Sequence, residues 1–101
     1  MSLEYPVGSA KVTATVAGTA LTLITFGFTA AQVNAAKKAV ICVRTAPISV
    51  TTVSGVTAVA ADGIAFAANG VYEIEGPKNL QNLSMIRDTA TSASVTIILF
   101  E

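Results

Sequence analysis

Two carboxylates two positions apart, Glu73 and Glu75, come closest to a catalytic pair in this chain. On a strand they share one face, as an acid–base pair of a glycosidase or a divalent-cation site requires. The same spacing also describes a solvated strand face ending at Gly76-Pro77, and this plainer account outweighs the chemical one. Around them the toolkit is thin: there is no histidine, and Cys42 is the single thiol. Cys42 lies within Ala39-Val40-Ile41-Cys42-Val43, where a small buried hydrophobe is expected in place of a reactive group. A lone cysteine builds neither a disulfide framework nor a thiolate metal motif. Asp62 and Asp88 sit beside turns, where Asp serves local backbone hydrogen bonds. Arg87 is expected to pair with Glu73 or Glu75 across a sheet. No nucleophile–base pair and no phosphate-cradling glycine loop occurs, so the expectation is a non-enzymatic protein with no cofactor and no metal.

Composition narrows the class further. The chain has 101 residues, enough for one domain, and 52% of them are hydrophobic. Six Lys and Arg balance six Asp and Glu. Nucleic acid and acidic membrane surfaces are therefore not expected partners. Zero net charge with a mean hydropathy of +0.67 suits a chain that covers part of its surface with other protein. The N-terminus, Met1-Ser2-Leu3-Glu4-Tyr5-Pro6, lacks the basic and apolar regions of a signal peptide, so secretion by that route is not expected. Residues Val12 to Ala31 carry no charge and match a spanning helix in length. Repeated threonines, Gly18 and Gly27, and the alternation Val12-Thr13-Ala14-Thr15-Val16 argue for strand over membrane helix.

The elements follow from pattern. Residues 1–10, with Pro6 and Gly8, read as an extended arm, and residues 11–101 as one β domain. Strands are expected at Lys11–Val16, Thr19–Phe26, Ala39–Thr45, Ile48–Val53, Ile64–Ala68, Val71–Glu75, Leu83–Asp88 and Ala93–Glu101. Asp62-Gly63 and Asn69-Gly70 mark tight turns, and Asn79–Asn82 a loop or a single helical turn. One helix is expected over Ala30–Lys38. Thr29 and Gln32 form a capping box, Phe28 and Val33 a hydrophobic staple, and Lys37 and Lys38 complement the C-terminal dipole. About eight short strands with one helix and no internal repeat imply a mainly β sandwich or barrel.

The closing strand is apolar on both faces near its end. Val95, Ile97 and Leu99 line one side, and Thr96, Ile98 and Phe100 the other. A half-exposed sheet keeps one face polar, so the helix at 30–38 or another subunit is expected to cover Ile98 and Phe100.

The stretch from Ala36 to Glu101 resembles the small virion proteins of tailed bacteriophages. The likeness rests on Ala39-Val40-Ile41-Cys42-Val43-Arg44, on Gly63 with its short strand, and on Val71-Tyr72-Glu73-Ile74. Asn82-Leu83-Ser84-Met85-Ile86-Arg87, a small-residue turn, Ser94-Val95-Thr96-Ile97 and the terminal Phe100 complete it. It is a likeness of rhythm over two-thirds of the chain, and the Thr-rich first third and the alanine-rich helix depart from it. The resemblance implies a single antiparallel, jelly-roll-like β-sandwich acting in the virion as a capsid decoration (cement) protein. It implies protein–protein contacts with the chain itself, as a dimer or trimer, and with virion proteins such as the major capsid protein. Neck, tail or baseplate placement, or a carbohydrate- or peptide-binding sandwich, are the alternatives. The interface is expected at Leu3, Tyr5 and Val7 of the arm and at Ile98 and Phe100.

Overall fold

Alternation of inward apolar residues with mostly smaller or polar outward ones builds the long strands of this protein, up to the apolar end of the closing strand. The computed structural model describes Gly8 and residues 10–101. The arm residues Leu3, Tyr5 and Val7 lie outside the described residues. Among the described residues eight strands are formed: β1 (Ala10–Val16), β2 (Leu21–Thr22), β3 (Lys38–Arg44), β4 (Ile48–Thr51), β5 (Ile64–Phe66), β6 (Val71–Glu75), β7 (Ser84–Arg87) and β8 (Ala93–Phe100). Three short helices join them: α1 (Leu23–Phe26), α2 (Ala30–Ala35) and α3 (Pro77–Gln81).

The protein is mainly β, with two four-stranded antiparallel sheets. The first runs β1-β8-β3-β6 and the second β2-β7-β4-β5. β8 is central to the first sheet, pairing Ile97 with Val12 on one side and Ile41 on the other. Ile41, Val43, Val95, Ile97 and Leu99 of the first sheet join Ile48, Val50, Phe66 and Met85 of the second in one buried cluster. Leu23, Phe26, Phe28, Val33, Leu80 and Leu83 complete that cluster from the helices and their connections. At one margin Phe66 of β5 stacks on Tyr72 of β6, with ring centroids 4.1 Å apart, linking the edge strands of the two sheets. The Tyr72 hydroxyl accepts the Ala67 N–H at 2.7 Å. Gly70 is required beneath that ring, since a Cβ there would lie 2.6 Å from it.

Two expectations are corrected. The segment 19–26 is not one strand: it is the two-residue β2 followed by α1. Thr22 and Thr25 form a second capping box that starts a helical turn, and Gly27, at φ 143, ends it. Leu23 and Phe26 are buried while Ile24 and Thr25 are exposed, a three-residue period that defeats the alternation expected there. The helix predicted over Ala30–Lys38 stops at Ala35. Its Thr29–Gln32 capping box is present as expected, and Phe28 and Val33 are buried. The sheet claims the rest: the Lys37 N–H donates to the Phe100 carbonyl at 2.7 Å, and Lys38 opens β3 between Phe100 and Glu75. Both lysines are thus withdrawn from the helix end. Where a loop or a single helical turn is expected over Asn79–Asn82, the chain forms the short helix Pro77–Gln81, which starts two residues earlier.

Candidate interaction surface

Glu73 and Glu75 share the outer face of edge strand β6, both exposed, as their spacing required. Lys38 Nζ stands 3.1 Å from Glu73 Oε1, and Lys38 lies opposite Glu75 in the strand register. A lysine paired with Glu73, with Glu75 on the same outer face, makes a charged sheet face. Arg87, expected to pair with these glutamates, belongs to β7 of the other sheet, and its guanidinium packs against Gly18. The corrected partner arises because β6 and β7, though consecutive, belong to different sheets. Cys42 is half-buried on the outer face of β3, not in the core, between Val71 and Thr96 in register. Among the described residues no group of three His, Cys, Asp or Glu side chains is placed to hold a metal ion.

The expected interface residues of β8 are well covered. Phe100 is only 8% exposed, and Ile98 is half-buried. α2 packs mainly against α1 and α3. Gly8 approaches so closely that a Cβ there would lie 2.7 Å from Ile98 Cγ2 and 3.7 Å from the Phe100 ring. The Lys38 ammonium lies 5.9 Å from the centroid of that ring.

Exposed apolar surface lies in the connection from β4 to β5 and at the start of β5. Val53, Val56 and Val59 of the connection are 59%, 48% and 57% exposed, and Ile64, which opens β5, is 61% exposed. Two bonds hold this connection against β7. The Ala58 N–H donates to Ser84 Oγ at 2.9 Å, and the Ala61 N–H to Asp88 Oδ1 at 3.0 Å. Met85 of β7 points into the core, so Ser84 on the same strand faces outward, and the connection crosses the outside of the second sheet. Asp88 therefore serves a distant backbone group and not the local turn expected of it. Beneath this strap Ser49 is 1% exposed, and its hydroxyl has no hydrogen-bond partner. Ala58 is buried between the exposed Val56 and Val59. Ala61 holds a left-handed φ of 60, and turns closed by Val56 N–H to Val53 O and Asp62 N–H to Val59 O fix the ends.

A strap fastened in this way presents its valines in a set conformation, at little ordering entropy on contact. Branched aliphatic side chains in solvent, with no charge from Thr45 to Ala61, suit a water-excluding protein contact. The sequence signal was present in the three-residue spacing of Val53, Val56 and Val59 within that uncharged run. It was missed because the run matches neither a strand nor a long helix. Where the strap starts, an open depression of about 380 Å³ is lined by Thr22, Thr25, Thr57, Gln81, Asn82 and Ser84. Most of these groups are already engaged: Thr22 and Thr25 cap α1, Ser84 holds Ala58, and the Asn82 amide donates to the Lys78 carbonyl.

No helix among the described residues is long and apolar enough to cross a membrane. No protein-family model, curated protein or solved structure matches the chain.

Proposed function

We propose that this chain is a non-enzymatic structural protein of a tailed-phage virion, a capsid decoration protein built as an eight-stranded jelly-roll sandwich. The observation that carries this is the strand order. In sheets ordered β1-β8-β3-β6 and β2-β7-β4-β5, every connection between consecutive strands except β4 to β5 crosses between sheets, and the first strand lies beside the last. A double Greek key, an architecture used by viral capsid domains, would order its strands this way, which supports the jelly-roll reading. Because one fold hosts many functions, the surface must supply the rest. The valine strap offers a fastened apolar contact, and a net charge of zero lacks the mutual repulsion that keeps a protein monomeric. Contacts with copies of itself, as a dimer or trimer, and with the major capsid protein then constitute the whole mechanism, and its location is the virion.

Mass spectrometry of gradient-purified particles of the phage that encodes the chain tests this. Peptides of the chain present in many copies per particle, and lost with the surface lattice in shell-stripping conditions, are expected. Intact particles without the chain would overturn the assignment, and recovery only with isolated tails would move it to a neck, tail or baseplate role. A carbohydrate-binding module is a second reading, favoured by the neutral hydroxyls and amides of the depression. It ranks lower because no aromatic platform lines that site, and glycan-array binding lost in Gln81→Ala would raise it.

A further inference from the structure

Each of the two sheets ends in two edge strands, and three of those four edges are protected. β2 has two residues and β5 three, too short to template another strand. β6 carries Glu73 and Glu75 and runs into Gly76-Pro77. β1 is different. It has seven residues, pairs with β8 in unbroken register from Ala10↔Leu99 to Val16↔Ala93, and contains no proline and a single charge, Lys11. Among the described residues no strand pairs with its other side. Its outward threonines, Thr13 and Thr15, are exposed, and its inward Ala10, Val12 and Ala14 remain only half-buried.

We propose that β1 pairs antiparallel with β1 of a second copy about a two-fold axis at Thr13, joining two first sheets into one of eight strands. This deepens the self-association in the function proposed above. The occupant follows from self-complementarity. A two-fold at Thr13 is the one centre that pairs all seven residues. It sets Thr13 against Thr13 of the second copy, a favourable cross-strand match. Val12 then faces Ala14, and Ala10 faces Val16, closing the half-buried inner row. Lys11 faces Thr15, and the two lysines stand four strand positions apart, roughly 14 Å. That exceeds the screening length of about 8 Å at physiological salt, so the only charges on the edge do not oppose pairing.

Light scattering behind size exclusion is the first measurement, with a dimer expected. A monomer at all concentrations, or a trimer, overturns the seam. The register is tested by Thr13→Cys in a Cys42→Ala background. Directly opposed strand residues have Cα atoms about 4.5–5.5 Å apart, within disulfide reach. Oxidation is expected to convert most of Thr13→Cys into a covalent dimer on a non-reducing gel, while Lys11→Cys stays uncrosslinked. A dimer in which Thr13→Cys fails to crosslink overturns the proposal. Thr13→Lys, with an unchanged β circular dichroism spectrum, is expected to shift the mass to monomer. If that variant fails to fold, the cysteine result decides alone. Absence from virus particles would sink the virion role and leave the seam standing, so the two failures are separable.

Discussion

The two sheets have equal strand numbers but are held by different means. The first is made of strands of seven, eight, seven and five residues, with side chains alternating cleanly between core and exterior. The second has strands of two, four, four and three, and needs a strap bonded across its outside. A long ladder supplies enough backbone hydrogen bonds and cross-strand pairs to define itself. A short one borrows definition from side chain–backbone bonds over large sequence separations. The difference also divides the surface: among the described residues the first sheet has no strand beyond β1, and the second displays valines on its strap.

The largest effect is expected at the centre of the long ladder. Ile97 is fully buried between Val12 and Ile41. Ile97→Ala removes buried methyl and methylene groups and leaves a cavity that rigid neighbouring strands cannot close. A loss of about 3–4 kcal/mol is expected in urea-induced unfolding. A loss under 1 kcal/mol would mean that the two sheets do not share the core described.

The strap gives the next test. Asp88→Ala removes the acceptor of the Ala61 N–H and should cost about 1–2 kcal/mol. The more discriminating readout is local. Hydrogen exchange is expected to quicken at residues 56–62 while β3 and β8 keep their protection. Uniform acceleration in both sheets would show that strap and ladder unfold as one unit, erasing the contrast. Ser49→Ala is expected to act in the opposite sense, gaining up to about 1 kcal/mol by deleting a buried hydroxyl with no partner. Thr22→Ala and Thr29→Ala each remove a capping oxygen, and each should lower stability by about 1 kcal/mol.

The same contrast explains what was legible in the sequence. β1, β3, β6 and β8 were placed within one residue at either end, because their hydrophobic period is two and one face is buried. The helix start at Thr29 was readable from its capping box. The equivalent box at Thr22 was hidden in a run of Leu, Ile and Phe that also suits a strand. Where α2 ends was not legible, since the Lys37 and Phe100 backbone groups that end it lie 63 positions apart. Partners followed the same rule. Glu73 and Glu75 were put on one exposed face by spacing alone, but their cation, Lys38, comes from a strand 35 positions earlier. The strap was illegible because its order comes from Ser84 and Asp88, outside the segment it fixes.

The smallest stability effect is expected where the surface contact is proposed. Val53, Val56 and Val59 are about half exposed or more, so Val→Ser at each should alter folding by roughly 0.5 kcal/mol or less. A chain gains little by keeping three branched aliphatic side chains in water on a strap fastened by polar bonds. Thermal unfolding of the triple serine variant should therefore match the native protein closely, with the Ala58 and Ala61 bonds intact. Binding to capsid shells that lack the chain is expected to fall at least tenfold in co-sedimentation, as loss of a central apolar contact does. If the triple variant unfolds far below the native protein, the valines belong to the packing of the second sheet. If it folds and binds as well as the native chain, the strap is only a cover for β7, and the contact with the shell must be made by another face.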